Sequence, residues 1–195
     1  DSIQTFLNFT NEIAQIDNAI ILHSLDTDLV LETIEVKSNI ETFRDIDIYE
    51  FGDSDFFQDR LQPFITFENA RYFSTYDEFI IFSNSTETLK SIIADALNNN
   101  TLVNTDSFES ISENLSDEAS LFIFKNSEGL SKIFEKTIKG YNANAVQFIY
   151  EDGYAHVNGI IKEFKKRNPD FPDENMHQSD FFQFKGQYDL ILEQT

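Results

Sequence analysis

The chain has 195 residues, 41% of them apolar, with 14 basic against 35 acidic side chains and a net charge of −21. That length suits one domain or two small interlocked units, able to bury roughly 70% of the unfolded surface, and 21 phenylalanines beside one Met and no Trp predict a stiff, aromatic core. So acidic a surface repels phosphate backbones and bare anionic membranes, which excludes nucleic acid as the expected partner, and the lack of Cys excludes disulfides, thiolate metal sites and a Cys nucleophile while leaving the redox compartment open.

In chain order, residues 1–14 read as a helix: Asp1 can cap it, Gln4 sits at the third helical position, and Ile3, Phe6, Leu7, Ile13 and Ala14 share a face. A strand is predicted over 18–25. Residues 28–36 are β-rich but ambiguous. Residues 44–51 alternate, with Ile46 and Ile48 on one side and Asp45 and Asp47 on the other, as in a strand with one wet face. Residues 53–61 read as a short helix stopped by Pro63. A hairpin over 69–75 and 78–83 then turns at Tyr76-Asp77, its second strand apolar at four consecutive positions, as expected where both faces are covered.

A helix over 85–97 places Leu89, Ile92, Ile93, Ala96 and Leu97 on one stripe. After a polar break at 98–104, Asp106 and Glu109 form a capping pair for a helix with Phe108, Ile111 and Leu115 inward. A strand over 119–125 and a helix over 128–141 follow. Residues 144–150 and 154–164 make the clearest hairpin, because Asp152-Gly153 suits the positive φ angles of a tight turn. Residues 165–180 are polar and hold Pro169 and Pro172, which reads as a linker; 181–195 is strand-like around Lys185-Gly186 and is expected to pair with chain beyond these residues.

Comparing the chain with itself aligns FIIFSNSTETLKSII, from Phe79, with LFIFKNSEGLSKIF, from Leu121. Phe82, Asn84, Ser85, Leu89 and Ile92 answer to Phe124, Asn126, Ser127, Leu130 and Ile133. The hydroxyl-rich turn of the first copy could be a phosphate cradle, but it has no glycine to let a backbone approach an anion, and Glu87 would repel one. The reading is therefore a helix cap, with Asn84 as N-cap and Glu87 completing a capping box.

No catalytic, metal or cofactor constellation stands out. His23, His156 and His177 lack partners at metal-ligand spacing, and no nucleophile elbow is present. Asp26/Asp28, Asp45/Asp47, Asp53/Asp55 and the cluster Asp170, Asp173, Glu174 place carboxylates close together, without the glycine and terminal Glu of a calcium-binding EF-hand loop. The glycosylation sequons at Asn8, Asn84, Asn99 and Asn114 are of the number that 17 Asn produce by chance. No cofactor is expected.

The charge is uneven. Residues 125–167 hold 8 bases and 5 acids, net +3, which leaves −24 for the remainder. Lys132, Lys136 and Lys139 share a helix face opposite Leu130 and Ile133, and Lys162, Lys165, Lys166 and Arg167 form a second group. Beside the plain reading of a solvated face, these seven residues are the candidate docking surface for an acidic partner or for the acidic part of this chain. No apolar run approaches the roughly 18 residues a spanning helix needs, and with Asp as first residue the numbering is expected to start inside a longer or processed product.

The string RYFSTYDEFIIFSNSTETLKSIIADALNNNTLVNTDSFESISENLSDEASLFIFKN resembles the uncharacterised Phe- and Asn-rich envelope proteins of the Bacteroidota, in which a strand, Ser-Asn-Ser, an amphipathic helix and a later LSDEASLFIF-like strand recur. The resemblance covers about residues 69–165. It implies an exported protein, periplasmic or lipid-anchored at the outer membrane, with no catalytic residues to carry over, and in some relatives a quinoprotein-like β-propeller follows. The expectation is an α+β unit over 1–164, mainly antiparallel sheet with amphipathic helices on one face and two loosely repeated strand-helix halves, then the linker over 165–180 and a strand-like tail over 181–195 that could belong to a following domain. The expected function is non-enzymatic: an envelope protein binding other proteins, as a subunit of a larger, membrane-associated assembly. The alternatives are a small-ligand or glycan binder using Tyr49, Tyr76 and Tyr154, or a hydrolase with a dispersed site.

Overall fold

The computed structural model describes residues 7–16, 18–34, 36–126, 142–163 and 181–185. Its fold is α+β, built on one antiparallel sheet in the order β3-β4-β5-β6-β2-β1-β10-β7-β8-β9. Six strands form one wing: β1 (Thr10–Ile16), β2 (Ala19–Ser24), β3 (Val36–Phe43), β4 (Ile46–Phe51), β5 (Tyr72–Tyr76) and β6 (Phe79–Ser83). Three form the other: β7 (Leu121–Asn126), β8 (Asn142–Glu151) and β9 (Tyr154–Glu163). β10 (Phe181–Lys185) lies between β1 and β7 and pairs antiparallel with both. The strand expected near Lys185 thus pairs within this chain.

The two faces are filled differently. Directly opposed residues share a face, so the registers Tyr49↔Phe73, Phe73↔Phe82, Phe82↔Ile20 and Leu22↔Ile13 trace one continuous side. That side is a phenylalanine core. Phe82 is fully buried, with ring centroids of Phe51 and Phe57 at 5.1 Å and of Phe73 at 5.6 Å. The edge-to-face contacts with Phe51 and Phe57 add to the large area each ring removes from water. Residues 52–71 cover it as an irregular segment that delivers Phe56, Phe57, Ile65, Phe67 and Ala70. The helix expected over 53–61 is a run of turns, because the segment's role is to aim Phe56 and Phe57 together into the core. Gln15 fastens it, accepting from the Thr66 amide at 2.9 Å and donating to the Thr66 hydroxyl at 3.3 Å.

The opposite face carries helices α2 (Thr86–Leu97) and α3 (Asp106–Ser112). Leu89 and Ile93 of α2 bury against Ile48 and Ile81, and Ile111 of α3 against Phe122, Phe124, Ala143 and Ala145. The two amphipathic helices therefore share a face, as their stripes predict. The short α1 (Thr27–Glu32) sends Val30 to the phenylalanine side.

Four expectations need correction. Residues 10–14 are strand, because β1 sits between β2 and β10 and the ladder outweighs the helical spacing. The ambiguous stretch from Asp28 opens as helix, since Asp26 caps α1 by accepting from the Leu29 amide at 3.1 Å. The wet side of β4 extends only to Asp47, as Tyr49 and Phe51 on the same side belong to the core. Both capping assignments move by one residue. The N-cap of α2 is Ser85, accepting from Thr88, and that of α3 is Thr105, accepting from Phe108. Glu87 binds Lys90 (3.2 Å) instead of closing a box. Ser85→Ala should therefore cost about 1 kcal/mol and Asn84→Ala less than about 0.5 kcal/mol; equal losses on urea unfolding would contradict the assignment. The expected helix over 128–141 and linker over 165–180 lie outside the described residues.

A second copy of the β6–α2 joint lies upstream. SLDTDLV, from Ser24, parallels SNSTETL, from Ser83. Ser24 Oγ accepts from the Asp26 amide at 3.1 Å and donates to the Phe9 carbonyl at 3.2 Å. Ser83 Oγ accepts from the Ser85 amide at 3.2 Å and donates to the Asn18 carbonyl at 2.8 Å. In each joint the last strand serine positions the capping residue that follows. β2 and β6 pair with Ile21 opposite Ile81, one residue off the equivalence of Ile21 with Ile80. Matching positions consequently fall on opposite faces, which is why Val30 and Leu89 enter different cores.

Candidate functional site

The β8–β9 hairpin turns at Asp152-Gly153, with φ of 50° and 80°, the left-handed pair a two-residue turn requires and glycine supplies. Ten residue pairs follow without a register shift, from Glu151↔Tyr154 to Asn142↔Glu163. Apart from the turn, residues 142–150 and 154–161 carry no formal charge, in a chain with 49 acidic and basic residues.

One face of the hairpin is closed. Ala143 and Ala145 pack under α3. Gln147, 3% exposed, accepts from the Ser116 amide and donates to the Ser116 carbonyl, both at 2.9 Å. Asn158 donates to Gln147 Oε1 (3.3 Å) and to the Asn114 carbonyl (3.2 Å). A side-chain amide presenting donor and acceptor to one residue's backbone completes the hydrogen bonding that the loop after α3 would otherwise lack.

The other face opens outward. Leu121, Phe148 and Val157 stand opposite one another across β7, β8 and β9, and their exposure climbs from 6% to 38% to 63%. Tyr150, on the same face, is 46% exposed, and Tyr154 beyond the turn 72%. Leu121 belongs to the phenylalanine core, so an apolar row leaves the interior and ends in solvent. A contiguous exposed apolar patch on a regular hairpin is a candidate binding surface.

Of the seven basic candidates, Lys132, Lys136, Lys139, Lys165, Lys166 and Arg167 lie outside the described residues. Lys162 is on β9, and its amine donates to the Ser110 carbonyl in the last turn of α3 at 2.5 Å, where a cation also complements the helix dipole. The candidate tyrosines divide. The Tyr49 hydroxyl donates to Asp47 at 3.2 Å and its ring stacks on Phe73, Tyr76 is half-buried, and Tyr154 is open to solvent.

One carboxylate of each of the first three acidic pairs is engaged locally, Asp55 by the Ser54 hydroxyl at 3.2 Å. Asp26 is a cap, and Asp47 accepts from Thr42 at 2.5 Å and from Tyr49. The hydrogen bond from Thr42, with that from Asn39, holds the Asp47 carboxyl below its usual range, whereas burial and the Asp47 charge raise Tyr49. Asp170, Asp173 and Glu174 lie outside the described residues. Among the described residues no group of three or more His, Asp or Glu side chains is gathered for a metal. His23 lies 3.2 Å from Glu78 and stacks on Phe79, His156 is exposed on β9, and His177 lies outside the described residues. No helix among the described residues is long and apolar enough to cross a membrane.

Of this hairpin the sequence singles out Lys162 and Tyr154, and not its apolar face. The signal of that face was two uncharged runs flanking an Asp-Gly turn in a chain of net charge −21. Comparison with known proteins finds no matching family model, no matching curated protein and no matching solved structure.

Proposed function

We propose that this chain is a non-enzymatic protein of the cell envelope, periplasmic or held at the outer membrane, that acts through protein–protein interaction as a subunit of a larger assembly. The observation that carries the interaction part is the apolar row from Leu121 through Phe148 to Val157, with Tyr150 beside it, emerging on the uncharged runs 142–150 and 154–161 of the hairpin. Exposed aromatics on a rigid element supply binding energy at low entropic cost. The envelope part rests on the resemblance over residues 69–165.

The test is affinity purification of the full-length product from fractionated native cells, beside a variant carrying Phe148→Asp and Tyr150→Asp. Both side chains are already partly in solvent, so the variant should fold. The expected result is an envelope-fraction protein whose co-purifying set is lost in the variant. An unchanged set, or recovery from the cytosol, would overturn the reading.

A further inference from the structure

The sheet has two edges, and they differ. β3 is interrupted by register shifts between Val36 and Ser38 and between Asn39 and Glu41, and Glu41 is ion-paired to Lys90 at 2.9 Å. Bulges and edge charges are how sheets discourage an additional strand. β9 has neither. Its ladder is regular over ten pairs, and residues 154–161 hold no proline and no charged residue.

Among the described residues, nothing explains Gly159 in the middle of β9. Its φ lies outside the left-handed region and a Cβ there would meet nothing within 4 Å, so neither conformation nor crowding requires glycine. A glycine weakens a strand, and where neither bulge nor bend accompanies it, it often marks a place that a ligand or another backbone approaches closely. Val157, two residues away on the same face, is 63% exposed. An open notch and an exposed apolar side chain therefore sit together on this edge strand.

Charge selects the occupant. A basic partner would gain by docking against carboxylates, and residues 154–161 carry none in a chain of net charge −21. A partner bearing the same sign gains from their absence, because interactions beyond about 8 Å are largely screened at physiological salt. Resting on the hairpin being the working surface, we infer that β9 pairs antiparallel with β9 of a second copy of this chain. A two-fold axis normal to the sheet keeps equivalent residues on one face, so paired residue numbers must sum to an even value. Centring the pairing on Asn158 sets Val157 of each copy against Gly159 of the other, filling both notches and extending the sheet across the dimer.

Sedimentation velocity of the intact chain at roughly 100 μM should give twice the 22.6 kDa monomer mass. Association should tighten as salt rises from about 50 to 500 mM, because like net charges are screened. Val157→Lys should weaken the dimer at least about tenfold while melting within about 2 °C of the parent, although it lowers the net repulsion. Val157→Thr should stay within about threefold. Ala155→Lys, on the same face, reports the same loss if the first variant melts lower. A parent that is monomeric at high salt, or a dimer that both lysine variants leave unchanged, overturns the inference. A monomeric parent that still co-purifies with a hairpin-dependent partner overturns only the homotypic pairing, and the interaction reading stands.

Discussion

Phe82→Ala is expected to lower the unfolding free energy by about 3–5 kcal/mol. Phe82 is fully buried at the centre of the phenylalanine face, and its ring joins Phe51 and Phe73 of β4 and β5 to Phe57 of the irregular segment. Truncation removes the ring's transfer energy and leaves a cavity that stiff neighbouring rings cannot close. Domains of this size are stable by about 5–15 kcal/mol, so the variant should lose roughly a fifth or more of its margin. Urea unfolding with an unchanged m value measures it. A loss under about 1 kcal/mol would mean that the aromatic cluster does not hold the sheet and the 52–71 segment together.

The second large effect is expected at Gln147, where alanine should cost about 2 kcal/mol. The amide satisfies both backbone groups of Ser116 and takes a third hydrogen bond from Asn158. Its loss leaves a donor and an acceptor unmatched, each costing about 1–3 kcal/mol when buried, less here because water can reach Ser116. Hydrogen exchange should localise the change, with residues 113–119 exchanging faster and β2 and β6 unaffected. Uniform acceleration across the sheet would show that Gln147 supports the whole fold, contrary to its place as a clamp on one loop.

Much of the architecture was legible from periodicity and turn chemistry. The stripe of Leu89 and Ile93 foretold the face of α2, and Asp152-Gly153 foretold the hairpin. The errors arose where distant contacts decide between locally equivalent choices. Asn84 and Ser85 are both good caps; the choice falls to Ser85 because Ser83, tied to the Asn18 carbonyl, holds the Ser85 amide. Ile13 fits a helical face as well as a strand, and the neighbouring β2 and β10 settle it. The upstream copy of the joint was also visible, as serine followed two residues later by Asp26 or Ser85 and then threonine. Its apolar residues differ because they face different cores. The candidate surface was the least legible part, since exposure of Phe148 and Val157 depends on where the 52–71 segment stops covering the phenylalanine side of the sheet.

The central claim is that the uncharged face of the β8–β9 hairpin is where this protein meets other protein. The most direct measurement is quantitative comparison of what co-purifies from native cells with the parent and with the Phe148→Asp, Tyr150→Asp variant, after confirming equal melting. Loss of the bound set with an unaltered fold is the predicted result. Identical recovery by both proteins would contradict the account and place any working surface elsewhere on the molecule.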